Sequence, residues 1–179
     1  TDAGTAVYGM LRCHHCCPVI QETIKTDGPS QDQIRERMIM NGGKHMKKLG
    51  FGCMRFPMHG AAVDVEEVKR MVDTFMERGF TYFDTSYVYH NGESESILKK
   101  VLVERYPRSS FTITTKSPVF LVGSQKQFFS VFQQQLERLG TDYVDYYWLH
   151  AVNGELYQKI QSLNLVDALM QLKRAGKTR

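Results

Sequence analysis

The sequence predicts an α/β fold built on a parallel sheet. Short runs rich in β-branched and aromatic residues alternate with amphipathic helical patterns, and that alternation means βαβ units. From Leu49 onward the pairing of strand and helix recurs through to Ala175. Its period of about 30 to 35 residues suits either a (β/α) barrel or an open doubly wound sheet.

The first strand is expected over residues 49–54, where Gly50 and Gly52 permit close packing. Ahead of it, Asn41-Gly42 between two short runs, Met38 to Met40 and His45 to Leu49, is a hairpin signal. Asp64 is a helix N-cap, and Glu67 three residues later resembles a capping box. Val65, Val68, Val72, Phe75 and Met76 then share one helical face, and Gly79 ends the helix. Residues 80–84 form the second strand, and residues 93–105 a helix stopped by Pro107. Residues 111–115 form the third strand. The helix of residues 124–139 shows Phe128, Phe132, Leu136 and Leu139 on one face and is capped by Gly140. Residues 143–149 make the fourth strand. One long helix is expected over residues 155–175, closed by Gly176.

The chain of 179 residues is 42% hydrophobic and 23% charged, a globular composition far from that of disorder. Its formal charge of +4 is spread thinly. Lys44, Lys47 and Lys48 form the densest basic run, too short to argue for nucleic acid. No apolar run approaches the ~20 residues of a membrane span, and no signal-peptide pattern opens the chain, so a cytoplasmic address is the default expectation. Cys13, His14, His15, Cys16 and Cys17 crowd together at metal-ligand spacing. A second ligand pair does not follow at the usual interval, so no metal site is expected and the thiols read as reduced. Residues 1–37 hold no sustained periodicity and are expected to lie outside the domain, which occupies residues 38–179.

Polar residues recur at the C-terminal ends of consecutive strands, the rim where parallel α/β folds build active sites. Asp84 ends the second strand, with Tyr89 five residues on; Lys116 ends the third and His150 the fourth. Singly, each has an ordinary structural explanation as a turn former, a solvated cation or a packed imidazole. Their recurrence at successive strand ends favours chemistry. Reducing a carbonyl by hydride needs a proton donor for the developing alkoxide. A tyrosine, with an unperturbed pKa near ~10, donates better beside an ammonium. Lys116 supplies that cation, Asp84 pairs with it, and His150 hydrogen-bonds the substrate oxygen.

The run from Phe83 to Tyr89 followed by Asn91-Gly92-Glu93-Ser94-Glu95 resembles a signature of the aldo/keto reductase family, Asp-Thr-Ala followed by Tyr-Gly and an acidic residue. The run from Leu136 to His150 is similar to that family's second signature, and Thr114-Thr115-Lys116 to its lysine strand. Met40-Asn41-Gly42 through Gly52 resembles its N-terminal hairpin and first strand. The resemblance implies the first half of a (β/α)8 TIM barrel, four β/α units after a short N-terminal β-hairpin. It carries over a catalytic tetrad of Asp84, Tyr89, Lys116 and His150, places Asp84 and His150 against the cofactor, and implies NADPH or NADH as hydride donor to a small-molecule aldehyde or ketone. Tyr87 competes with Tyr89 on sequence, and the spacing from Asp84 favours Tyr89. His90 stands where many members have glycine, and Ala151-Val152-Asn153 where many have a tryptophan and a proline. Most of the family's dinucleotide-binding residues belong to the second barrel half, so this chain alone is expected to be inactive. The alternative is a non-catalytic half-barrel serving as an assembly or interaction module, and either form is open to self-association through its unpaired edges.

Overall fold

The computed structural model describes residues 47–179. Four parallel strands pair in chain order: β1 (Gly50–Gly52), β4 (Tyr82–Asp84), β5 (Thr112–Ser117) and β6 (Tyr146–Leu149). A small antiparallel pair, β2 (Met58–His59) and β3 (Ala62–Val63), turns through Gly60 before the first helix. The helices are α1 (Val65–Glu77), α2 (Ser94–Leu98, continued by a wider turn over Lys99–Val103), α3 (Gln125–Leu139), α4 (Gly154–Ser162) and α5 (Leu165–Arg174). A doubly wound sheet reverses strand order at a switch point. Here each new strand adds on the same side of the last, as a barrel requires.

The register divides the sheet into two faces. Phe51, Phe83 and Ile113 share one row and face the helices, where Phe83 and Ile113 are fully buried. Phe75 of α1 stands edge-on to both Phe51 and Phe83, with centroids 5.4 and 5.2 Å away. Phe132 of α3 meets Tyr147 of β6 at 4.7 Å. The other face carries Gly52, Asp84, Thr114 and Tyr146 in one row, with Lys116 beside Trp148 in the next. This is the layered inner face of a barrel. Gly50 belongs to it because a Cβ there would lie 2.9 Å from the Tyr82 ring.

The chain's caps follow its sequence signals. The Asp64 and Ser124 side chains accept from the amides of Glu67 and Gln127, and Gly140 closes α3 in the left-handed conformation at φ 67°. At the lower end of the sheet, Asp145 is 1% exposed. Its Oδ2 accepts from the Ile113 amide at 2.9 Å and from Arg108 Nη2 at 2.8 Å, while Oδ1 lies 3.2 Å from Arg179 Nη2. The Val144 amide donates to the Lys177 carbonyl and the Arg179 amide to the Asp145 carbonyl, laying residues 177–179 beside the residues that lead into β6.

Several boundaries differ from expectation. The 155–175 helix is two helices, because Asn164 adopts φ 51° and turns the chain between them. Lys116 lies within β5 and Ser117 ends it. The β2–β3 pair was not expected, its strands being only two residues each. The anticipated hairpin around Asn41-Gly42, the thiol–imidazole cluster at 13–17 and the division at residue 37 lie outside the described residues. Among the described residues, no helix is long and apolar enough to cross a membrane, and no group of three or more His, Cys, Asp or Glu could hold a metal ion.

Candidate active site

Asp84, Tyr89, Lys116 and His150 converge at the C-terminal ends of β4, β5 and β6. Alternation along β5 sends Lys116 to the inner face, where it is 8% exposed. Its ammonium has three N–H donors, and each finds an acceptor. Nζ lies 2.6 Å from Asp84 Oδ1, 2.9 Å from the Thr85 carbonyl and 3.1 Å from Tyr89 Oη. The Nζ also lies 4.8 Å from the Tyr89 ring centroid.

Tyr89 stands on a tight turn between β4 and α2, whose next two residues, His90 and Asn91, have φ of 51° and 53°. Its ring meets His150 edge-on at 5.7 Å. His150 follows β6 directly, and its amide continues the ladder by donating to the Ser117 carbonyl at 3.0 Å. Its Nδ1 lies 3.0 Å from Ser86 Oγ. Burial, and then the Lys116 cation, hold the imidazole pKa below its ordinary value, with Asp84 partly opposing them. The ring is therefore neutral around pH 7.

Tyr87 and Tyr89 separate cleanly in space. Tyr87 lies under the Arg138 guanidinium, 4.2 Å from its ring centroid, and its hydroxyl donates to Gln134 at 3.3 Å. Tyr89 alone of the two reaches Lys116. The remaining neighbours are Phe120, whose ring is 6.3 Å from that of His150, and the exposed Trp148 on the inner face.

Sequence reasoning gave no role to Ser86 or to the Thr85 carbonyl. A serine in a loop and a backbone oxygen carry no signal of partners 64 and 31 residues away. It also missed a buried polar network behind the lysine strand. Glu95, fully buried, accepts from Thr115 Oγ1 at 2.6 Å and Gln135 Nε2 at 2.7 Å. Gln135 further donates to the Lys116 carbonyl at 3.2 Å and accepts from Tyr147 Oη at 2.7 Å. Burial pushes the Glu95 pKa up, and the Thr115, Gln135 and Arg138 donors work against that rise. One signal was available: Gln135 sits where the apolar stripe of α3 calls for an apolar side chain, flanked by Phe132 and Leu136.

The family model described as the aldo/keto reductase family matches residues 48–179. A probable aldo-keto reductase of Glycine max is 28% identical over 133 residues, covering 69% of this chain and 38% of that protein. An aldo-keto reductase of Mycolicibacterium vanbaalenii is 30% identical over 142 residues, covering 79% and 46%. The crystal structure of an aldo-keto reductase from Klebsiella pneumoniae in complex with NADPH superposes with a TM-score of 0.62 at 24% identity, over 75% of this chain and 44% of that one. The chain thus spans less than half the length of these relatives, as a partial barrel of the (β/α)8 type. It belongs to the aldo/keto reductase family.

Proposed function

We propose that this chain contributes the proton-donating half of an NADPH-dependent carbonyl reductase, acting on a small aldehyde or ketone once the barrel is complete. One observation carries this: all three Lys116 donors are committed, with Tyr89 Oη as one acceptor. The phenolic proton of Tyr89 is therefore left for another acceptor, and the neighbouring ammonium stabilises the phenolate formed when that proton leaves. Asp84 and the Thr85 carbonyl fix the ammonium in place. In the tautomer whose Nδ1 accepts from the Ser86 hydroxyl, His150 carries its proton on Nε2 and presents it to the same substrate oxygen. The substrate carbonyl accepts the Tyr89 proton as its oxygen gains charge.

The residues present fit the nicotinamide end of the cofactor. Asp84 keeps 29% of its side chain exposed, His150 is half-buried, and Trp148 gives an open aromatic wall on the same inner face. NADPH supplies a hydride when bound. A neighbour in fold is known in complex with NADPH.

The test is to compare Tyr89→Phe with Tyr87→Phe in a polypeptide that completes the barrel, by steady-state carbonyl reduction. Tyr89→Phe is expected to lose ~10² to 10⁴ in turnover, the usual worth of a general acid, and Tyr87→Phe far less. Equal losses, or a larger one in Tyr87→Phe, would refute the assignment.

A further inference from the structure

The residue after Tyr89 is held in a way that its type does not favour. His90 has φ 51° and ψ 50°, left-handed backbone that glycine adopts freely and a β-substituted residue adopts at a penalty. Asn91 repeats the conformation, and Gly92 follows at φ 92°. Outliers of this kind persist where surrounding contacts over-determine them. Besides its carbonyl, which accepts from the Glu93 amide at 3.0 Å, the contacts at His90 come from its side chain. The Phe56 amide donates to His90 Nε2 at 3.0 Å, and the two rings stack at 5.0 Å with only 10° between their planes. Phe56 is itself 4% exposed, so its N–H has exchanged water for that imidazole nitrogen.

Phe56 lies in the segment that leaves β1, and this segment is tied to the Tyr89 turn at further points. The Cys53 amide donates to the Asp84 carbonyl at 2.8 Å, and Ser94 Oγ donates to the Cys53 carbonyl at 3.0 Å. Those ties hold the ends of the turn, before Tyr89 and after it. Within the turn, the Tyr89 amide donates to the Ser86 carbonyl at 3.2 Å. Arg138 and Gln134 of α3 hold Tyr87, through its carbonyl at 3.4 Å, its ring and its hydroxyl, while the His90–Phe56 clamp fastens the residue next to Tyr89 to the segment leaving β1. We infer that His90 is a positioning residue for Tyr89: by gripping Phe56 it fixes the turn so that the phenol rests on Lys116. The inference rests on Tyr89 being the proton donor, and it assigns His90 no contact with substrate.

The test exploits the backbone angle. His90→Gly removes the clamp while supplying the residue that φ 51° prefers, so the unfolding midpoint should move little. His90→Gln places an amide oxygen near the position of Nε2 and restores the acceptor without the stack. In the purified chain, selectively tyrosine-labelled and otherwise deuterated except at lysine and histidine, the Tyr89 ring should show cross-relaxation to the Lys116 side chain and the His150 ring. Those cross-peaks should weaken severalfold in His90→Gly and recover most of their intensity in His90→Gln. Unchanged cross-peaks in His90→Gly would overturn the inference, as would a Gln variant no better than Gly. A sharp loss of stability with the Tyr89 contacts intact would also overturn it, by making His90 a purely structural residue. The readout needs no turnover, so it can fail while the Tyr89→Phe test succeeds, and the reverse.

Discussion

Replacing Asp145 by alanine should be among the most damaging single changes to this fold, and the hydrogen-bond geometry says by how much. The carboxylate is 1% exposed and its Oδ2 takes both the Ile113 amide and Arg108 Nη2. Truncation leaves the Ile113 N–H without its acceptor beside a fully buried residue, at about 1–3 kcal/mol. It also removes the charged partner of Arg108, a bond worth about 1.5–3 kcal/mol when one member is ionised. Arg108 is 20% exposed at its side chain and keeps the Phe111 carbonyl and Thr141 hydroxyl at 3.0 and 3.2 Å, so the lower part of that range applies. Together these give about 3–4 kcal/mol, in keeping with the loss expected from breaking a buried pair. Asp145→Asn behaves differently. Its amide oxygen can take the place of Oδ2 and keep both bonds, leaving the NH₂ to face Arg179, so about 1–2 kcal/mol is expected. Urea unfolding followed by far-ultraviolet circular dichroism reads both, and a 3 kcal/mol loss lowers the midpoint by roughly 1–3 M. A loss below about 1 kcal/mol for alanine, or an asparagine variant as unstable as alanine, would refute the claim that the two bonds on Oδ2 carry the effect.

Two other outcomes follow from geometry already described. His150 has a folded-state pKa held below its ordinary 6.5 by burial and by Lys116, so the unfolded chain takes up the proton first as pH falls. Its contribution to stability is complete above pH 6.5 and is lost as pH drops through the folded value, and His150→Gln should flatten that decline in denaturation curves taken across the window. With β1 at one edge of the sheet and the inner face carrying the exposed Trp148, the purified 179-residue chain should sediment as a dimer or larger species and bind NADPH weakly. A monomer with tight NADPH binding in a fluorescence titration would contradict both parts.

The alternation of strands and helices was legible because the helices have apolar stripes and the sheet strands are short and carry aromatic or β-branched residues. Asp84, Tyr89, Lys116 and His150 could be picked out because successive strand ends in a parallel sheet share one rim, and the structure brings all four together. The break at Asn164 could not be seen. Leu156, Ile160 and Leu163 run into Leu165, Ala168 and Leu172 with no glycine or proline to mark the turn, and an asparagine reaches left-handed backbone without announcing it. The wider turn over Lys99–Val103 has no compositional mark either. Ser86, Gln135 and the His90–Phe56 contact escaped for a different reason. Their partners lie 64, 12 to 40 and 34 residues away, and which residues they meet is settled only when the chain is folded around them.

Within β5, neighbouring positions answer to different demands. Ile113 and Thr115 look toward the helices, one into the apolar core and the other into the network of Glu95 and Gln135, while Thr114 and Lys116 look into the barrel. A library randomised at 113 and 115 would therefore be sorted by folding yield, whereas one randomised at 116 would also alter the contacts to Asp84 and Tyr89 at the rim. Deleting a single residue ahead of Ile113 would exchange the two sets, sending the lysine into the layer behind the sheet and Ser117 to its place at the rim. Length at this point of the chain is consequently as constrained as the identity of the lysine itself, and natural variation here should take the form of substitutions and never of gaps.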